Sequence, residues 1–278
     1  MEGAFQNNLV ALKDQDKVCK ALGIKFITSP EIVYLARNAG FQALFIDLEH
    51  SSLSLETAGH LCVAGMNAGV TPFVRVPGRA EAGFIQRVLD NGSQGVVFPH
   101  VDTPEQAQMA VRASKYPPLG KRSITAMMPH YGYRAAPIAA VTEVGNSQLS
   151  TVIVMIESPE AVENIDAIAS TQGVDVILIG TNDLSIELDC PGDFDNPNFI
   201  EAIEKIAASA RKHNRILGVA GIYNRPDLMH RFLHEWGTRF VLGVMDLSLI
   251  AKAAAGVATE LTDLEEPKDY ATMTTIGS

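Results

Sequence analysis

Several charged side chains stand directly after short apolar runs, where a buried strand would release them toward solvent. Asp47 and His50 end one such run, Arg75 ends the next, and Glu157 and Asp183 follow two later ones. Mg²⁺ is typically held by one or two carboxylates, with water and substrate oxygens completing its coordination shell. We therefore predict that Glu157 and Asp183 share one divalent cation, Mg²⁺, Mn²⁺ or Co²⁺. The structural alternative is that each acid caps the helix that follows it.

Arg75 follows the apolar pair Phe73 and Val74 directly, so its guanidinium needs a partner that offsets the cost of burial. In a functional role it could polarise a substrate carbonyl or neutralise an enolate. In a structural role it could form an ion pair with Glu157 or Asp47. The two interpretations are compatible, and both place Arg75 beside carboxylates.

His50 is the candidate for proton transfer, because Asp47 and Glu49 lie close to it in the sequence. A carboxylate that accepts a hydrogen bond from one ring nitrogen fixes the tautomer and raises the basicity of the other nitrogen. This pattern predicts that Asp47 supports His50, which then acts as a general base directly or through a water molecule. The alternative is a surface histidine without a function.

Residues 180–185, Gly-Thr-Asn-Asp-Leu-Ser, predict a tight turn that opens a helix. The backbone amides of such a turn can bind a carboxylate or a phosphate. A 2-oxoacid could chelate the cation while its carboxylate meets the backbone around Gly180, Thr181 and Asn182. Lys25, at the end of the first apolar run, offers a rival chemistry, because a desolvated lysine can form a Schiff base. That rival would leave the carboxylate pair without a purpose.

The elements that position these side chains are eight short apolar runs alternating with segments of helical period. The runs span residues 21–25, 43–47, 71–75, 95–99, 151–156, 175–179, 216–220 and 239–243. Continuous apolar runs of this length are typical of parallel strands buried on both faces. Eight regular repeats predict a (βα)₈ TIM barrel in a single domain over residues 1–278, with a core of about 18–260 and a polar tail at 261–278. An open, doubly wound sheet is the alternative.

Composition limits the function classes. The chain of 278 residues carries a net charge of −10, which argues against nucleic-acid and anionic-membrane partners, since both need a positive field. Three widely spaced cysteines fit neither a disulfide framework nor a zinc motif. With no signal-like or membrane-spanning run, we expect a cytoplasmic protein. The low charged fraction of 19% predicts a surface buried in a homo-oligomer.

Two segments leave their roles open. Residues 116–146 form a long stretch rich in Pro and Gly, which predicts either a functional loop after the fourth strand or an insertion. The predicted helix over residues 246–260 contains the stretch Ala-Lys-Ala-Ala-Ala-Gly. Its small side chains would allow close packing on a neighbouring subunit. The alternative is that this last helix closes the barrel against the first one.

Five stretches, at residues 45–50, 74–75, 116–122, 156–157 and 179–185, resemble the HpcH/HpaI aldolase/citrate lyase family. The resemblance runs from about residue 23 to residue 260. It implies a (βα)₈ barrel, often hexameric, with Glu157 and Asp183 as metal ligands and Arg75 stabilising a pyruvate enolate. His50, supported by Asp47, would belong to the acid–base machinery. The implied activity is metal-dependent retro-aldol cleavage of a 4-hydroxy-2-oxoacid.

Other activities share the same enolate. Oxaloacetate decarboxylation and enolate coupling of the macrophomate synthase kind are the enzymatic alternatives, and a non-catalytic barrel that binds a 2-oxoacid is the alternative outside enzymes.

The sequence departs from the familiar aldolases at Met155, where they usually carry Gln, at Lys25, where they often carry Trp, and at loop 123–135. Met155 adapts to irregular apolar shapes, and Lys25 adds positive charge at the predicted mouth. We therefore expect both residues and loop 123–133 to select a second substrate bulkier or less polar than a small hydroxyaldehyde, with a carboxylate near Lys25.

Overall fold

A computed structural model describes residues 5–265 and shows a closed barrel of parallel strands in the order β1-β2-β3-β4-β5-β6-β7-β8. The strands are β1 (Cys19–Ile24), β2 (Ala43–Asp47), β3 (Thr71–Arg75), β4 (Gly95–Phe98), β5 (Thr151–Ile156), β6 (Val176–Gly180), β7 (Ile216–Ala220) and β8 (Phe240–Met245). The (βα)₈ fold predicted from the apolar runs is confirmed. The open-sheet alternative is wrong, because β1 pairs with β8 and closes the ring.

Helices surround the strands and connect them. They are α1 (Asn8–Lys13), α2 (Ile32–Asn38), α3 (Leu55–Ala68), α4 (Ala82–Asp90), α5 (Pro104–Ser114), α6 (Ile138–Gln148), α7 (Pro159–Glu163), α8 (Ile165–Ser170), α9 (Thr181–Glu187), α10 (Pro197–Lys212), α11 (Pro226–His234) and α12 (Asp246–Glu265). The side chains of Ser54, Thr103 and Ser158 cap α3, α5 and α7 as their positions predict. The helical segment between β5 and β6 is divided at Asn164 into α7 and α8.

Side chains that alternate along each strand divide the core into two layers. Inward-pointing residues such as Phe45, Phe73 and Met155 fill the barrel. Outward-pointing ones such as Ile46 and Val154 pack under the helices. Because the side-chain period of a strand is two, the residue two positions beyond an inward apolar residue also faces the barrel axis. This rule aims Asp47, Arg75 and Glu157 into the mouth.

The amino-terminal face of the barrel is closed by α1, a helix that the sequence prediction missed. Asn7 caps it and also donates a hydrogen bond of 3.0 Å to the Oγ1 of Thr151, the first residue of β5. Leu9, on the same helix, is buried in the barrel interior. The core therefore begins before residue 18, the predicted boundary. At the other end of the chain α12 runs to Glu265, so residues 261–265 are helical and the remaining tail lies outside the described residues.

Residues 116–148 also lie at the amino-terminal face. The buried Arg122 donates to Asp90, the last residue of α4, at 2.7 Å. The Nε2 of His130 donates to the carbonyl oxygen of Ser93, just before β4, at 2.9 Å. This face is opposite to the mouth where the catalytic side chains gather. Loop 123–133 therefore does not contact the substrate site of its own chain, contrary to the expectation from the sequence.

No helix within residues 5–265 combines the length and apolar character needed to cross a membrane.

Candidate active site

The carboxyl-terminal mouth of the barrel brings the predicted polar residues together, because parallel strands all end at the same face. Asp47 and Arg75 occupy paired positions on β2 and β3. Glu157 follows β5, and Gly180 ends the neighbouring strand β6, next to Asp183 in the first turn of α9. The predicted acids and the predicted arginine therefore lie at the same mouth.

Arg75 is held by two carboxylates. Its Nε and Nη2 atoms donate to the two oxygens of Asp47 at 2.9 and 2.7 Å, and its Nη1 lies 3.2 Å from Glu49 Oε2. Burial acts to raise the pKa of Asp47, but the hydrogen bonds and charge of Arg75 outweigh it and hold that pKa below its usual value. The planar fork therefore has a fixed direction, as a group that stabilises an enolate requires.

His50 is placed differently from the sequence prediction. Asp47 Oδ1 accepts from the backbone N–H of His50 at 3.3 Å and does not contact the ring. The nearest carboxylate to the imidazole is Glu49, with Nε2 and Oε2 3.6 Å apart. The ring is 58% exposed at the mouth. Asp47 therefore shapes the loop and orients Arg75, whereas Glu49 is the residue that can support His50.

Glu157 is a buried carboxylate with little to neutralise it. Its side chain is 2% exposed, and Oε2 accepts from the backbone N–H of His100 at 2.9 Å. Burial raises its pKa to about 7, and the nearby negative charge of Asp183 acts in the same direction. It does not cap α7, because Ser158 performs that role. Gly180 leaves the space that the carboxylate occupies, since a Cβ there would collide with Glu157 Oε1.

The donor set fits a divalent cation. Two carboxylates that repel each other at a buried position are unfavourable without a positive charge between them. The charge of the half-buried Asp183 acts against the ionisation of the buried Glu157, and both residues supply the oxygen ligands that Mg²⁺ and similar ions prefer. The metal ligands predicted from the sequence therefore lie close together, and their ligand role stays a prediction.

The predicted carboxylate-binding turn, Gly180 to Asn182, lies beside Glu157. The Thr181 side chain is fully buried and its hydroxyl donates to the carbonyl oxygen of Ala220 at 2.8 Å. This hydrogen bond ties the start of α9 to the end of β7. Only the backbone at Thr181 is therefore left for a substrate, while the Asn182 side chain is exposed. Their binding role stays a prediction.

Two other predicted substrate residues, Lys25 and Met155, differ in position. Met155 is buried in the barrel interior below Glu157, two residues along the same strand. Lys25 lies just after β1, and its backbone N–H donates to Asp246 Oδ1 at 3.1 Å. Asp246 also accepts from the backbone N–H groups of Phe26 and Ile27, and so joins the loop after β1 to the start of α12.

Three further residues, which the sequence did not predict as site residues, lie at the mouth: Glu49, His100 and Tyr223. The His100 ring lies 3.5 Å from Glu157 Oε2 and 3.7 Å from Glu49 Oε1, and its backbone has a φ of 52°. Burial raises the pKa of Tyr223, while the charge of nearby Arg75 opposes this. Glu49 and His100 each lie two positions after the last residue of a strand, which is the signal that could have included them.

The fold and the mouth define a class: a (βα)₈ barrel whose mouth holds a buried carboxylate, Glu157, near an arginine fixed by Asp47. The comparisons agree with this class. Residues 27–253 match the sequence profile described as HpcH/HpaI aldolase/citrate lyase. The chain belongs to this family and is an aldolase-type carbon–carbon lyase. The class II aldolases of the family generally depend on a divalent metal.

Relatives and solved structures give the same answer. The 4-hydroxy-4-methyl-2-oxoglutarate aldolase tasA of Hapsidospora irregularis is 42% identical over 262 residues, covering 94% of this chain and 97% of the relative. The 5-keto-4-deoxy-D-glucarate aldolase of Escherichia coli K12 is 34% identical, with coverages of 79% and 83%. A solved HpcH/HpaI aldolase from Desulfitobacterium hafniense DCB-2 superposes with a TM-score of 0.83 at 26% identity, covering 94% of this chain and 97% of that one. The non-catalytic alternative is therefore set aside.

Proposed function

We propose that this chain cleaves 4-hydroxy-4-methyl-2-oxoglutarate, or a close 4-hydroxy-2-oxodicarboxylate, by a retro-aldol reaction. The observation that carries the proposal is the buried, unneutralised Glu157 beside the fixed guanidinium of Arg75. Relatives that span nearly the whole chain are named for the same substrate. The products would be two molecules of pyruvate, one of them released from its enolate.

The cleavage breaks the bond between C3 and C4 of the substrate. The hydroxyl proton on C4 passes to His50, directly or through water, and C4 becomes the carbonyl carbon of the departing pyruvate. The bonding electrons move to C3 and form the enolate of the second pyruvate. A proton returned to C3 completes the reaction. Glu49, 3.6 Å from the His50 ring, stabilises the proton-bearing imidazole.

Arg75 stabilises the charge that develops on the enolate oxygen, because Asp47 holds its fork in place before the reaction begins. Glu157 and Asp183 hold a divalent cation, which when bound supplies Lewis-acid stabilisation of the same charge. The backbone from Gly180 to Asn182 orients the substrate's C1 carboxylate. Mg²⁺, Mn²⁺ and Co²⁺ are the metals we propose for this site.

Pyruvate release from metal-loaded protein tests the proposal directly. The substrates are 4-hydroxy-4-methyl-2-oxoglutarate, a panel of other 4-hydroxy-2-oxoacids, and oxaloacetate, whose decarboxylation forms the same enolate. We expect the first substrate to give the highest kcat/KM. Oxaloacetate as the only substrate turned over would replace the proposal with a decarboxylase. Borohydride trapping of pyruvate on Lys25, with activity that survives chelation, would support the Schiff-base chemistry instead.

We also propose that the enzyme is a cytoplasmic homo-oligomer in which α12 packs on a second copy of the chain. Among the described residues of α12 only Asp246 is buried, whereas Leu249, Ile250, Val257 and Leu261 are exposed. The helix therefore does not cover its own barrel as the eighth helix normally would. The end of β8, from Gly243 onward, is consequently partly exposed.

A second copy of the chain matches both exposed surfaces, the apolar side chains of α12 and the end of β8. Its α12 could cover β8 of the first copy, and the reverse. The resemblance favours a hexamer, which three dimers formed by mutual packing of α12 could build. Light scattering should show an oligomer at micromolar concentration, and Leu261→Glu should weaken it. Lys252→Glu, on the same helix, is the control. A wild-type monomer would overturn this assembly.

A further inference from the structure

A cavity of about 1090 Å³ lies between α4 and α5 and reaches the mouth at His100. Its upper rim is formed by the loop after β3, with Gly78 and Arg79, and by His100 after β4. Ligand pockets usually measure ~300–1,000 Å³. The space therefore exceeds what a small aldehyde needs.

The cavity starts beside the reacting groups. His100 lines its rim and also lies 3.5 Å from Glu157 Oε2. Gly78 packs close to both Glu49 and His100, and a Cβ on it would be 3.5 Å from Glu49 Oε1. A substrate whose enolate half lies at Arg75 and Glu157 therefore has open space for its other half along the β3–β4 side.

The charge of the cavity differs from that of the whole protein. The chain carries a net charge of −10, yet four basic side chains line the cavity against two acidic ones. The basic residues are Arg79, Arg112, Lys121 and Arg122, and the acidic ones are Glu81 and Asp102. Arg122 is already paired with Asp90, so three basic side chains remain against the two acidic ones. The cavity therefore suits an anionic group.

Arg79 is the basic residue nearest to the mouth in the chain, since it lies four positions after Arg75. Within residues 5–265 it makes no salt bridge under 4.0 Å. Arg122, by contrast, is paired with Asp90 at the opposite face. Arg79 is exposed on the rim of a cavity that reaches the mouth at His100. It is therefore available to bind a carboxylate in a bidentate manner.

From the cavity, its charge and the position of this side chain, we infer that Arg79 binds the distal carboxylate of the substrate, the one on the half that departs. The inference rests on the proposed retro-aldol function and identifies the substrate class as a diacid. It also moves the expected carboxylate site from Lys25 to the β3–β4 side. Lys25 follows β1 and does not line the cavity.

A matched pair of substrates tests this inference. In 4-hydroxy-4-methyl-2-oxopentanoate, a methyl group replaces the distal carboxylate of 4-hydroxy-4-methyl-2-oxoglutarate. We expect Arg79→Gln to lower the selectivity for the diacid over the methyl analogue by ~10–100-fold, mainly through KM, because a charge-assisted hydrogen bond contributes about 1.5–3 kcal/mol. Arg79→Lys should recover part of the loss, since it keeps the charge without the planar fork.

Two further variants complete the design. Arg112→Gln lies in the same cavity lower on α5 and should leave the selectivity unchanged. Lys25→Gln tests the earlier expectation, and a selective loss of diacid turnover there, without one at Arg79, would overturn the inference. Exchange of the pyruvate methyl protons in D₂O reports enolate formation separately. A wild type that neither exchanges nor cleaves defeats the proposed function, whereas an active wild type with unchanged selectivity in Arg79→Gln defeats only this inference.

Discussion

The two ends of the barrel both bury ionisable groups, but within residues 5–265 only the mouth buries carboxylates that have no lysine or arginine within 4.0 Å. At the mouth, burial raises the pKa of Glu157 to about 7. At the amino-terminal face, burial lowers the pKa of His130 to about 4, so this histidine stays neutral in a packed site. The amino-terminal face, called the base of the barrel below, is therefore arranged for stability. The mouth keeps an unfavourable carboxylate that a cation can neutralise.

The surroundings of these groups follow the same division. At the base, Arg122 is covered by the ring of Tyr116, 4.7 Å away, and paired with Asp90. At the mouth, the Arg75 fork is held by Asp47, but the His50 and His100 rings remain more than half exposed. Groups that must meet a substrate are therefore oriented without being enclosed.

The largest effect should come from removing the mouth's acids. Glu157→Ala or Asp183→Ala should reduce cleavage to background, because each removes half of the predicted cation site. EDTA should do the same, and Mg²⁺, Mn²⁺ or Co²⁺ should restore the wild type but not the variants. Steady-state pyruvate release measures this. Full activity of either variant would contradict the assignment of a cation site to these two acids.

The next effect separates two residues within the mouth. His50→Ala should lower retro-aldol turnover by ~10²–10⁴-fold, the usual contribution of a general base. Oxaloacetate decarboxylation should suffer less, because it has no hydroxyl proton to remove. Arg75→Lys should impair both reactions, since Asp47 is bound in a bidentate manner that a point charge cannot reproduce. Equal losses in both reactions for His50→Ala would end this division of labour.

A third prediction uses pH to compare the ends in metal-free protein. The folded pKa of Glu157, about 7, is above the unfolded value of 4.5. The protonated carboxyl therefore contributes to the free energy of unfolding below pH 4.5, and this contribution is lost as the pH rises through 7. The shift corresponds to a change on the order of 3 kcal/mol in the free energy of unfolding. Glu157→Gln should remove this loss, and bound metal should oppose it.

His130 should respond in the opposite direction. Its folded pKa, about 4, is below the unfolded value of 6.5, so its contribution is present above pH 6.5 and lost as the pH falls toward 4. His130→Leu should flatten the acid side of the stability profile and leave the alkaline side unchanged. Denaturant unfolding at a series of pH values measures both residues. Identical profiles for the two variants and the wild type would contradict the comparison.

The smallest effect concerns the loop at the base. Met127 and Tyr133 are exposed there, far from the mouth. Met127→Ala and Tyr133→Ala should change the free energy of unfolding by no more than ~0.5 kcal/mol, as surface substitutions usually do. Neither should alter kcat/KM for any substrate of the panel. A change in substrate selectivity would show that this loop reaches an active site, which in this fold requires the site of another subunit.

Much of the fold follows from local patterns. The apolar runs predicted each strand to within two residues at either end, because strands buried on both faces need continuous apolar sequence. The missed helix α1 is short, with a single buried side chain, Leu9, and so has little apolar signal. The continuation of α12 beyond residue 260 was missed because a polar helical segment resembles a tail in composition.

The sequence by itself determined which side chains enter the mouth, because a residue at the end of a parallel strand has only one face of the barrel to occupy. Asp47, Arg75 and Glu157 follow from that rule alone. Only the tertiary structure decided their partners. Whether Asp47 serves Arg75 or His50, whether Lys25 or Arg79 lines the open space, and which end receives residues 116–148 all depend on distances between elements far apart in the chain. Spacing along the chain specifies the direction of a side chain, whereas its neighbours are set by the closure of the barrel.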